Sequence, residues 1–135
     1  MTGPEHETVT APELTPPSGY AHAVVAASGR LVHLSGQTAQ GRDGSIQGGT
    51  MVEQFDLAAA NLLTALRAAG GEPRHLVAMQ VFVTDVPAYR ASLKRLGEVW
   101  RSRFGSRYPA MALIGVSELF DPAALIELTG VAVIP

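Results

Sequence analysis

The 135-residue chain contains no cysteine, which excludes disulfides, thiolate catalysis and cysteine-based metal sites. Charge is sparse as well: Asp, Glu, Lys and Arg make up 16% of the residues, the net charge is -2 and the pI is about 6.0. Nucleic-acid and membrane-surface binders concentrate positive charge. The densest excess here, Arg101, Arg103 and Arg107, is interrupted by Ser, Phe and Gly and fits cations at a helix end, where they complement the dipole. No apolar run reaches the roughly 20 residues of a membrane span. His22 and His33 have no second histidine or carboxylate at metal-ligand spacing. There is no glycine-rich dinucleotide fingerprint, phosphate loop or nucleophile elbow. The expectation is therefore no metal, no cofactor, no nucleic acid and no membrane. Residues 1–17 are polar and proline-rich, without the basic start and apolar stretch of a secretion signal. They read as a flexible leader, and the chain as cytoplasmic.

Hydrophobic residues make up 47% of the chain, enough for one core, and residues 18–135 read as a single domain. A strand over Tyr20–Ala26, a turn at Ser28-Gly29-Arg30 and a return over Leu31–Leu34 suggest a hairpin. Residues 41–49 are a glycine-rich loop, with a possible short strand near Ile46. Thr50 to Ala69 carries Met51, Phe55, Ala58, Leu62 and Leu66 on one helical stripe. Thr50 with Glu53 resembles a capping box, and Gly70-Gly71 supplies the stop.

Leu76–Val83 reads as a central strand. Asp85 to about Arg103 reads as a second helix, with Pro87 in its first turn and Tyr89, Leu93, Leu96, Trp100 and Phe104 on its buried stripe. Strands over Ala110–Val116 and Leu125–Ile134 follow. Two amphipathic helices cover one face of such a sheet. The other face has few charges, so a second copy of the chain is expected to cover it.

Several stretches together resemble the RidA/YjgF family. They are Gly19-Tyr20-Ala21-His22-Ala23-Val24, Leu34-Ser35-Gly36-Gln37, the helix from Gln54 through Asn61 to Leu66-Arg67-Ala68-Ala69-Gly70, Val81-Phe82-Val83-Thr84-Asp85, Tyr108-Pro109-Ala110, and Ile126-Glu127-Leu128-Thr129-Gly130-Val131. The match spans about residues 18–134. The resemblance implies an α+β, chorismate-mutase-like two-layer fold, here a six-stranded mixed sheet with two helices on one face. It also implies a homotrimer with small-molecule clefts between subunits, and hydrolysis of reactive enamines and imines such as 2-aminoacrylate. The ribonuclease activity attached to some family names conflicts with the acidic pI and the lack of a basic groove.

The resemblance also implies roles for particular residues. In the deaminase branch an arginine follows the Pro-Ala pair and grips the substrate carboxylate; here Ala110 is followed by Met111, which has neither donor nor charge. Arg107, four residues earlier, is a poor substitute on an extended loop. Glu127 aligns with the glutamate that activates water; on its own it would read as an edge-strand carboxylate. Tyr20 aligns with a cleft tyrosine, the alternative being a half-buried strand aromatic. Ser35, Gly36 and Gln37 end a strand and present donors to a ligand, or simply make a turn. Lys94 occupies a helix position that is often asparagine in the family, and otherwise reads as a solvated cation. Two functions follow: a catalyst acting on a small imine, enamine or related carbonyl compound that lacks the usual carboxylate, or a trimeric ligand-binding protein without turnover.

Overall fold

Capping residues set the ends of the longest helix in a computed structural model that describes residues 5–135. The Thr50 hydroxyl accepts the Glu53 N–H and opens α1, Met51–Ala68. Gly70, at φ 90°, closes it, as the Gly71 N–H returns to the Leu66 carbonyl and the Gly70 N–H to that of Arg67. A left-handed glycine with these paired bonds is a standard helix stop. The buried stripe of α1 is the expected one.

It packs on a four-stranded sheet formed by β3 (Arg30–Gln37), β4 (Leu76–Val83), β5 (Ala110–Gly115) and β6 (Ile126–Ile134), in the order β3-β6-β4-β5. The β4 and β5 strands are parallel; the β3–β6 and β4–β6 pairs are antiparallel. Met79, Val81 and Val83 of β4 lie opposite Gly130, Leu128 and Ile126 of β6, and all six are buried. Strand side chains alternate between faces. Gln80, Phe82, Glu127, Thr129 and Val131 therefore belong to the face away from the core.

The sheet has four strands where six were expected, because the expected hairpin does not form. The chain does reverse at Ser28-Gly29, but β3 then pairs with β6, from Arg30 opposite Ile134 to Leu34 opposite Gly130. Gly29 permits this, since a Cβ there would overlap the Ile134 carbonyl. The other two strands, β1 (Glu7–Val9) and β2 (Ala23–Val25), form an antiparallel ribbon of their own. Near Ile46 there is only an isolated bridge to Gln40.

The β1 strand lies within the expected flexible leader, which is therefore corrected over residues 5–17. The buried His6 ring fastens it: Nδ1 accepts the Ala27 N–H at 3.0 Å, so Nε2 carries the proton and donates to the Val133 carbonyl at 2.9 Å. Residues 1–4 lie outside the described part.

The second helix is divided into α2 (Val86–Ala91) and α3 (Leu93–Phe104). Asp85 caps α2 by accepting the Ala88 N–H. At the break, the Ser92 hydroxyl donates to the Ala88 carbonyl at 2.9 Å and the Ser92 N–H bonds to Tyr89. Serine bonding back to the preceding turn bends helices. Leu96, Trp100 and Phe104 are buried as expected, whereas Leu93 is 57% exposed.

Gln54 ties the helix layer to the loop ahead of β6. Its side chain is buried, donates to the carbonyls of Gly48 and Ala123, and accepts the Leu125 N–H at 2.8 Å. Gln54→Leu keeps the volume and orphans three backbone groups. We expect a loss of about 3 kcal/mol, read as a lower denaturation midpoint with an unchanged denaturant slope.

Candidate functional site

Ser35, Gly36 and Gln37 lie where the β3–β6 ladder slips between Leu34 and Gln37. The irregularity brings the Gly36 backbone against the Glu127 side chain. A Cβ on Gly36 would fall on the Glu127 carboxylate, so glycine is required for the close approach. Ser35 and Gly36 are exposed, and Gln37 and Glu127 half-buried. The first candidate feature is thus a carboxylate laid along an open strand end. Gly36→Ala should displace Glu127 while leaving the buried core alone. The expected result is a fall in any turnover with little change in melting temperature.

The second candidate feature is a cavity of about 410 Å³ lined by Tyr20, Ala110 and Met111. The loop carrying Tyr20 is fixed to the edge of β5 by a parallel bridge between Ala21 and Ala110 and by the Ala21 N–H donating to the Pro109 carbonyl at 3.0 Å. His22 staples the same loop: Nδ1 accepts the Ala11 N–H at 3.0 Å, which leaves Nε2 to donate to the Thr15 carbonyl at 2.9 Å. Leu14 and Thr15 complete the wall. Sequence reasoning missed Leu14 and Thr15, because residues 11–17 read as leader; His22 is the structural histidine it reads as, and also lines the cavity.

Met111 also borders a second cavity of about 240 Å³, between α3 and the Ser18-Gly19 turn. Lys94 is exposed on α3 and lines neither cavity. Arg107 is committed elsewhere, donating from Nη2 to the His6 carbonyl at 3.2 Å.

Glu127 and Met111 do not meet within the chain. Met111 pairs with Met79, which lies opposite Gly130, so it shares their face of the sheet; Glu127 is on the other face, three residues along β6. Two strand spacings and three residue rises separate the backbones by roughly 14 Å. Among the described residues no three His, Asp or Glu side chains cluster to hold a metal, and no helix is long and apolar enough to cross a membrane.

The Endoribonuclease L-PSP family model matches residues 10–134. The chain belongs to the RidA/YjgF family. A Yersinia pestis protein, YyfB, described as a conserved Rid-family member of unknown function, superposes with a TM-score of 0.85 at 30% identity, over 96% of this chain and 99% of that one. A Mycobacterium tuberculosis member of the YjgF/YER057c/UK114 family superposes with a TM-score of 0.64 at 25% identity, over 96% and 100%. The Schizosaccharomyces pombe protein mmf2, named as mitochondrial, is 33% identical over 92 residues, 68% of this chain and 69% of its own length.

Proposed function

We propose that this RidA-family chain acts on a small imine, enamine or related reactive carbonyl compound, by water and proton transfer, in clefts between the subunits of a homotrimer. One observation carries the reading: two half-sites of complementary chemistry lie apart within one chain, Glu127 in β6 and the Tyr20–Met111 cavity at the edge of β5, with the backbones of Glu127 and Met111 roughly 14 Å apart. A carboxylate can move protons but needs a bound substrate; the Tyr20–Met111 cavity can hold a substrate, but its one imidazole, His22, has both ring nitrogens bonded to backbone. Facing copies of the chain complete both, and cover the outer sheet face, where Phe82, Ile114 and Val131 lie among Gln80, Glu127 and Thr129.

In hydrolysis, Glu127 takes a proton from water as the water oxygen adds to the imine carbon. The resulting carboxylic acid gives that proton to nitrogen, forming a carbinolamine; Glu127 then takes the hydroxyl proton and passes it to the nitrogen as the C–N bond breaks and the C=O bond forms, so a carbonyl compound and ammonia leave. The Tyr20 phenol donates to a substrate heteroatom. Tautomerisation or cyclisation uses the same proton shuttle without net addition of water. Ala110, Ser35 and Gln37 shape the cleft.

Met111 supports a substrate without a free carboxylate, because no guanidinium fork stands beside Tyr20. Arg107, bonded to the His6 carbonyl, does not replace it. The net charge of -2 does not favour RNA as the substrate. The same Met111 favours a second reading, a trimeric binding protein without turnover.

The test is a decay assay. With 2-aminoacrylate generated in situ, little or no acceleration of imine loss is expected, and rapid loss would refute the assignment of Met111. With a panel of carboxylate-free imines, at least one should decay faster. If none does, and Glu127→Ala leaves ligand affinity intact, the binding reading holds instead.

A further inference from the structure

The chain's single tryptophan, Trp100, is fixed on three sides. Its ring stacks on Phe104 and Tyr108 with centroids 4.1 Å and 4.8 Å away, and its indole N–H donates to the Arg107 carbonyl at 3.0 Å. Beside it is the 240 Å³ notch, walled by Tyr89, Leu93, Gly97, Trp100, Tyr108 and Met111. Among the described residues no Asp, Glu, Lys or Arg lines it, and the Arg101 guanidinium lies beside its Gly97 wall. Burial, and secondarily Tyr108, push the Tyr89 phenol above its usual range, so it stays neutral.

Gly97 supplies a second, independent observation. It sits in the middle of α3, where glycine is a poor helix former. Neither its backbone nor its packing calls for glycine: its φ is not positive, and a Cβ would meet only the mobile end of Arg101, at 3.7 Å. Gly97 lines the notch, and beyond its chain neighbours no side chain of the other wall residues lies within 4 Å of where its Cβ would be, so the space beside it is open. Met111 lines this notch and the Tyr20 cavity alike, and its unbranched thioether can change rotamer readily.

We propose that the notch is the side-chain compartment of the cleft, that it takes an uncharged aryl group of the ligand, and that Met111 is the movable wall between this compartment and the Tyr20 cavity. The proposal rests on the imine reading only for where the reacting end sits; occupancy of the notch requires no turnover. The notch is below the roughly 300–1,000 Å³ of a drug-sized site, which suits one ring rather than a whole ligand. Neutral walls of aromatic edges, phenols and sulfur favour a planar uncharged group over an ion.

The test uses the full chain, with Trp100 emission and calorimetry as readouts and phenylacetamide, phenylacetate and acetamide as probes. Phenylacetamide should bind saturably and shift the Trp100 emission. Phenylacetate should bind at least about tenfold more weakly, and acetamide should leave the emission unchanged. Gly97→Ala should weaken phenylacetamide binding slightly and Gly97→Leu by about tenfold or more, while both raise the melting temperature by improving the helix. Met111→Ala should admit 2-naphthylacetamide at least about tenfold more tightly than the native chain does.

Absence of saturable phenylacetamide binding, or full affinity in the Gly97→Leu variant, would overturn the proposal. If the Gly97 series behaves as stated but no imine turns over, the notch stands and the catalytic reading falls. If imines turn over with no preference for aryl groups and no sensitivity to Gly97→Leu, the notch falls and the catalytic reading stands.

Discussion

Replacing Glu127 by glutamine lowers turnover of any imine the protein accelerates by about 10²–10⁴-fold, the range for loss of a positioned acid–base group. The substitution is nearly isosteric, so contact with the Gly36 backbone is kept and neither ligand affinity nor melting temperature should move appreciably. A kcat effect with KM unchanged is the signature of a proton shuttle. An equal loss of binding would instead make Glu127 a ligand clamp. The cleft geometry adds a sharper form of the experiment. Glu127→Gln chains mixed and reassembled with Met111→Trp chains, whose cavity is blocked, should regain activity in about a quarter of the clefts of a ring, because some clefts then draw both intact halves from different copies. If both halves came from one chain, no mixture of the two inactive variants would recover.

Met111→Arg should convert the protein toward carboxylate-bearing imines. A buried charge pair is worth about 2–5 kcal/mol when one partner is truncated, which corresponds to a gain of roughly 30-fold or more in kcat/KM for the 2-aminoacrylate imine. The 410 Å³ cavity beside residue 111 has room for a guanidinium, and the arginine stem can follow the course of the thioether. Part of Met111 packs against the core, so a lower melting temperature accompanies the gain. The native Arg107 makes a useful control: because it holds the His6 carbonyl, Arg107→Ala should lower stability and leave carboxylate selectivity unchanged. An Arg107→Ala variant with altered selectivity would place that guanidinium in the cleft after all.

Local chemistry made much of the fold legible. The Thr50 cap, the α1 stripe and Gly70 define one helix, and the apolar alternation of Leu76–Val83 defines the strand buried between two neighbours. What local pattern does not encode is long-range pairing. The run over Tyr20–Ala26 reads equally well as a partner for β3 or for an earlier strand, and His6, bonded to Ala27 and Val133, helps hold β1 in place for the second. The break at Ser92 depends on a hydroxyl choosing a carbonyl in the preceding turn, which periodicity does not reveal.

The site divides in the same way. Family resemblance points to Tyr20, Gly36, Met111 and Glu127, and the structure sets two of them, Gly36 and Glu127, against each other. The cavity wall built by Leu14, Thr15 and the His22 staple was hidden, because its polar, proline-rich composition is that of a tail. Lys94 was singled out from its position in the sequence, yet it lies outside both cavities.

Assembly is the premise of the whole account, since the base in β6 and the binding cavity at the edge of β5 stand apart within one chain. Light scattering coupled to size exclusion, across a dilution series, measures it directly. The expected mass is three times the 14.2 kDa of the chain; a stable species of 14.2 kDa at every concentration would contradict it.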